Sequence, residues 1–153
     1  MKRTVTLAIL LTALVACQNS TPTPLAPITT ATETEFTLGP GQSAAIVDAV
    51  FTIRLIGVTN DERCPAEIEC VVSGPVTFTI TLQKAPGEPV EYTLQSFTDH
   101  DGRSPDGPFE GIQDRIEYEG YVIRVKGVLP YPLKSMDEVK DWEYRVSFIV
   151  TKN

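Results

Sequence analysis

The sequence predicts an all-β fold, an antiparallel β-sandwich of immunoglobulin-like topology. Three observations lead there. Val76, Phe78, Ile80 and Leu82 alternate with Thr77, Thr79 and Thr81, the period of two expected of a strand with one face buried. No apolar pattern of helical period persists after the first sixteen residues. About seven or eight such short segments, separated by Gly, Pro and Asp clusters, follow one another along the chain. A small closed barrel is the alternative arrangement for strands of this kind.

The elements follow in order. Glu35 to Leu38 alternates polar and apolar residues and is broken by Gly39-Pro40-Gly41. Ala45-Ile46-Val47 is a short strand with Asp48 as its turn, and Val50 to Val58 places Phe51, Ile53 and Leu55 on one face. After a cysteine-bearing loop and Gly74-Pro75 comes the Val76–Leu82 strand, then a turn at Ala85 to Pro89. Val90 to Phe97 is the next strand, with Tyr92 and Leu94 inward. A long loop, Asp99 to Gly111, is dense in Gly, Pro and Asp. Arg115 to Tyr118 turns through Gly120 into Tyr121, Ile123 and Val125. Pro130-Tyr131-Pro132 ends that run, Ser135 to Lys140 is expected to form one helical turn, and Tyr144, Val146, Phe148 and Val150 close the sheet.

The N-terminus has a different character. Lys2 and Arg3 precede an apolar segment, Thr4 to Ala16, too short to span a bilayer, which takes about 20 apolar residues. A basic head, a short apolar core and small residues before a cut describe an export signal. Leu14-Val15-Ala16-Cys17 resembles the lipobox of bacterial lipoproteins. The resemblance implies removal of residues 1–16, acylation of Cys17 and location in the cell envelope, on the outer membrane or the outer face of the plasma membrane. Two or three acyl chains hold firmly where one holds weakly. Residues 17–32 follow as a Thr/Pro-rich, uncharged tether, a composition unable to build a core. Residues 33–153, about 120 in number, suit one domain.

The full chain carries a formal charge of −7, and losing Lys2 and Arg3 with the leader takes it to −9. An acidic domain without a basic patch is a poor ligand for nucleic acid or anionic lipid. Of three cysteines, Cys17 is assigned to lipid, leaving Cys64 and Cys70. An even remainder in an exported chain favours a structural disulfide. Free thiols and a metal or redox site are the weaker alternatives, because there is no C-x-x-C pair and only one histidine.

The segment DERCPAEIECVVSG, Asp61 to Gly74, is similar to a group of uncharacterised bacterial envelope proteins and lipoproteins that share D-S-R-C-P, four residues, then C-x-W-x-G. Asp61, Arg63, Cys64, Pro65, Cys70 and Gly74 match, and Ile68 fits an aliphatic place. Glu62 stands where serine is usual, and Val72 where tryptophan is usual. The resemblance implies fold and location and brings no activity with it.

Catalytic chemistry finds little purchase. His100 is the single histidine, set between Asp99 and Asp101, and no G-x-S-x-G elbow occurs. Asp99, Asp101, Asp106, Glu110, Asp114, Glu117 and Glu119 offer carboxylates for glycosidase-type work, but close pairs arise by chance in so acidic a chain. Asp99, Asp101 and Asp106 are weak calcium candidates, lacking EF-hand spacing, and no cofactor is implied. Tyr131, Trp142 and Phe109 are candidate partner contacts, since exposed loop aromatics often anchor ligands; the plainer role is to plug the end of the sandwich. The sequence therefore points to a non-enzymatic, lipid-anchored binding or structural module. Its partners would be the membrane, through the anchor, and an unidentified envelope protein or polysaccharide, without nucleic acid. An enzyme inhibitor acting through the 61–70 loop, a calcium-stabilised binding module and a carboxylate-pair enzyme are the alternatives.

Overall fold

The computed structural model of the chain describes residues 23–135 and 137–153. The leader and Cys17 lie outside the described residues. Among the described residues nine strands form two sheets: β1 (Ile28–Thr30), β2 (Phe36–Leu38), β3 (Ser43–Ile46), β4 (Phe51–Asp61), β5 (Val76–Gln83), β6 (Val90–Ser96), β7 (Arg115–Tyr118), β8 (Tyr121–Leu129) and β9 (Arg145–Lys152). One sheet runs β1-β3-β4-β5-β6 and the other β2-β9-β8-β7. Every pairing is antiparallel except β1 with β3.

The two-sheet architecture is the expected one. Its wiring is two meanders, β3 to β6 and β7 to β9, with β2 exchanged onto the second sheet beside β9. As in an immunoglobulin domain, whose chain passes between its ABED and CFG sheets more than once, the chain crosses between sheets at β1–β2, β2–β3 and β6–β7.

Strand alternation builds the core. Phe51, Ile53 and Leu55 of β4, Val76, Phe78, Ile80 and Leu82 of β5, and Val146, Phe148 and Val150 of β9 are all buried in one cluster. Phe148 joins the sheets: its ring centroid lies 5.9 Å from Phe78 across the sandwich and 5.9 Å from Phe36 beside it. A second aromatic group, Phe51, Tyr118, Tyr121 and Tyr92, fills the far end with ring centroids 5.3–6.4 Å apart. Thr79, on the face expected to be wet, is 8% exposed, because β5 sits between long neighbours on both sides.

Two expectations are corrected. Ile28–Thr30 lies within the segment read as tether, yet it forms β1 and pairs with Ala44–Ile46. Neighbouring contacts hold it there. The Gln42 amide donates to the Ala26 carbonyl at 2.7 Å, and the Thr32 N–H donates to the Asp48 carboxylate at 2.9 Å. The Thr32 hydroxyl, which also donates to this carboxylate, and then the Thr32 N–H hold the Asp48 carboxyl below its ordinary range. The composition of 17–32 cannot make a core, but three residues can complete the edge of one made elsewhere. The helical turn expected at Ser135–Lys140 falls instead at Asp141–Glu143, as a single 3₁₀ turn. Glu138 is engaged upstream, its carboxylate accepting the Leu133 and Lys134 N–H groups at 2.8 and 2.7 Å.

The ends of the sandwich differ. At one end β7 and β8 are joined by Glu119-Gly120, both at positive φ, the conformation of a tight hairpin turn that glycine favours. At the other end are all three long loops, 62–75, 97–114 and 130–144. Replacing Phe148 by Ala removes the ring that joins the sheets and should cost about 3–5 kcal/mol. Urea unfolding of the two proteins measures it, and a loss comparable to an ordinary surface substitution would contradict this account of the core.

Candidate functional site

The three long loops meet on one side chain. Arg63 follows β4 by two residues and is fully buried. A guanidinium has five N–H donors in a fixed fork, and here each has an acceptor. Nε donates to Asp61 Oδ1 at 2.8 Å, and Nη2 donates to Asp61 Oδ2 at 2.6 Å and to the Pro130 carbonyl at 2.9 Å. Nη1 donates to the Val128 carbonyl at 2.8 Å and to Thr98 Oγ1 at 3.3 Å. The Asp61 side chain is only 4% exposed. Burying such a pair costs several kcal/mol per ion unless geometry and further hydrogen bonds offset it, and the bidentate fork supplies both.

Aromatic rings close the site. Tyr131 lies under the guanidinium, its centroid 5.0 Å from Cζ, and its hydroxyl donates to the Cys64 carbonyl at 2.8 Å. The Tyr144 hydroxyl donates to Asp61 Oδ2 at 3.0 Å. Burial, and then the Asp61 carboxylate, push the Tyr144 phenol well above its ordinary range. The His100 ring sits 4.9 Å from Tyr131.

The stapled loop is built onto this base. Cys64 and Cys70 are disulfide-bonded, with Cα atoms 5.9 Å apart. Ala66 and Glu67 N–H donate to the Pro132 and Leu133 carbonyls at 3.0 and 2.8 Å, and Cys64 N–H donates to Ser73 Oγ at 3.0 Å. Gly74 closes the loop against Glu62. A Cβ there would stand 2.5 Å from Glu62 Cβ, so only glycine fits. The tip beyond is apolar and open: Val71 is fully exposed, Val72 is 76% exposed and Ile68 is 48% exposed.

The sequence-derived candidates divide. Cys64 and Cys70 come together as expected. Tyr131 is buried, so it is part of the base rather than a partner contact. Phe109 is half-buried, edge-on to Phe97 at 5.7 Å. Trp142 alone of the three is well exposed. It stands between two grooves, one lined by Asn60, Asp61, Lys140 and Tyr144, the other by Thr23, Pro24, Leu25 and Arg145.

Four of the candidate carboxylates, Asp99, Asp106, Asp114 and Glu119, have local partners. Asp99 Oδ1 accepts the Arg103 N–H at 2.8 Å, as a turn residue does. Asp106 faces Arg124 and Lys126 at 3.4 and 3.5 Å. Asp114 is bidentate on Arg115, and Glu119 pairs with Lys84 at 2.6 Å. Among the described residues no group of three His, Cys, Asp or Glu side chains is placed to hold a metal ion, so Asp99, Asp101 and Asp106 are not gathered as calcium ligands. The loop's glycines have a mechanical reason. Gly102, at φ +74°, and Gly127 let the 102–104 backbone lie against the β8 bulge, where Val128 N–H donates to the Gly102 carbonyl at 2.7 Å.

Sequence reasoning marked Asp61 and Arg63 as matched positions and assigned them no role. Comparison of the chain with protein-family models, curated proteins and solved structures returns no match.

Arg63→Met should destabilise the domain by about 3–5 kcal/mol, because it strands Asp61 and two carbonyls. Arg63→Lys should recover only part of that loss, since an ammonium cannot reproduce the fork; thermal and urea unfolding of the three proteins decides. Tyr144 gives a pH test. Its folded pKa lies above the ordinary phenol value of 10.0. Its contribution is therefore complete below that pH and is lost as pH rises through the folded value. Tyr144→Phe should cost about 1 kcal/mol at neutral pH, and its deficit against the parent should shrink in alkali. A deficit that stays constant or widens would contradict the Tyr144–Asp61 coupling.

Proposed function

We propose that the chain is a non-enzymatic, lipid-anchored β-sandwich of the bacterial envelope, and that the stapled end is its contact surface for another envelope component. The observation that carries this reading is the pair Val71 and Val72, open to solvent on a loop held by a disulfide, by backbone bonds to Pro132 and Leu133, and by the Arg63 base. A preordered apolar tip loses little conformational entropy on binding. Position 72 is also where the envelope proteins that this motif resembles carry tryptophan, and here that position faces outward. The L-V-A-C leader supports the anchor. Local pairing of Asp99, Asp106, Asp114 and Glu119 and the enclosed setting of Asp61 and Arg63 support a binding role over a catalytic one. The same ordered loop favours enzyme inhibition as the second reading, with Glu62–Glu69 as the wedge.

The anchor is tested by growing cells on labelled fatty acid. Label should enter the parent chain, and Cys17→Ser should lose it and leave the membrane fraction. The contact surface is tested by a photo-crosslinking residue at position 72, with position 93 on the exposed side of β6 as control. Adducts are expected at 72 and not at 93. Absence of any adduct at 72 in membrane-bound protein would remove the stapled end from the proposal.

A further inference from the structure

We infer that the component met by the stapled end is the lipid surface itself: the domain stands on the membrane with its Trp142 and Val71–Val72 end down. This deepens the anchored reading and rests on it.

The first ground is where the chain enters the fold. Because β1 belongs to the sandwich, the free leash does not extend to residue 32. β1 runs parallel to β3 and antiparallel to β4, so residues upstream of Ile28 point back toward the stapled end. Leu25 packs by Gly39, and Thr23 to Leu25 share a groove with Trp142. From Cys17 to Thr23 is a span of six residues, at most about 20 Å when fully extended. An acylated Cys17 therefore keeps this end, and not the tightly turned one, beside the headgroups.

The second ground is what this end displays. Trp142, Val71, Val72, Ile68 and Leu133 are all exposed at 48% or more, on loops joined through the Arg63 base. Tryptophan favours the boundary between apolar and wet surroundings. Five exposed apolar side chains on one end of a small acidic domain call for a partner.

Charge narrows the lipid. Glu62, Glu67, Glu69, Asp137, Glu138, Asp141 and Glu143 are exposed on the same loops, against Lys134 and Lys140. The balance is negative, so the surface suits neutral or zwitterionic headgroups, and anionic lipid should weaken contact.

The chain supplies its own probe, because Trp142 is the only tryptophan. All the core residues lie downstream of Cys17. The chain from Cys17 onward can thus be coupled through that thiol, the only one outside the disulfide, to a maleimide lipid in phosphatidylcholine vesicles. Chemical coupling makes this test independent of acylation in cells, so failure of the anchor and failure of docking are told apart. On vesicles Trp142 emission should shift to the blue, be quenched by brominated acyl chains and be shielded from aqueous iodide. Doping with phosphatidylglycerol, or the paired change Val71→Asp and Val72→Asp in a variant with parental circular dichroism, should reverse part of each effect. Trp142 that remains as open to iodide as in free protein, and indifferent to brominated lipid, would overturn the proposal. Adducts at position 72 found only on another protein would do the same.

Discussion

One buried guanidinium organises the half of the molecule in which the loops lie. Arg63 has no access to water, and its acceptors come from four places in the chain: Asp61, Thr98, Val128 and Pro130. Each belongs to a different loop or strand end. An apolar cluster of equal volume could match such an ion pair in stability, or exceed it. It could not fix the direction of two carbonyls and a hydroxyl. The cost of desolvation is met here by geometry, and the return is a defined arrangement of loops that have little regular structure of their own.

That arrangement explains why the end of the sandwich can be both irregular and ordered. The disulfide alone closes a short ring, Cys64 to Cys70, and would leave it free to swing. The Tyr131 hydroxyl on the Cys64 carbonyl and the two bonds to Pro132 and Leu133 attach the ring to the base. Val71 and Val72 then project from a fixed platform. Preorder of this kind lowers the entropic cost of any contact, whether with lipid or with protein. The leash enters beside the same platform, and the account of function depends on that placement.

The sequence was most legible where one face is dry and the other wet. Val76 to Leu82 and Tyr144 to Val150 read correctly because period-two alternation is a direct image of a half-buried strand. β1 was hidden because three residues carry no periodicity, and its Thr/Pro-rich neighbours resemble a spacer. The role of Arg63 was hidden for another reason. A lone arginine in a polar loop is ordinarily solvated, and its burial depends on partners 35 to 67 residues away. Only the pairing with Asp61, two residues upstream, left a local trace. Tyr131 and Phe109 looked like free loop aromatics for the same reason. Their neighbours, Arg63 and Phe97, are set by tertiary contacts that spacing does not encode.

The most direct measurement of the central claim is the exchange of the Arg63 side-chain protons, followed by NMR at neutral pH. The account predicts a sharp, slowly exchanging Nε–H resonance for Arg63, shifted by the Tyr131 ring and distinct from that of the exposed Arg103. An Arg63 signal that exchanges with water as fast as that of Arg103 would contradict it.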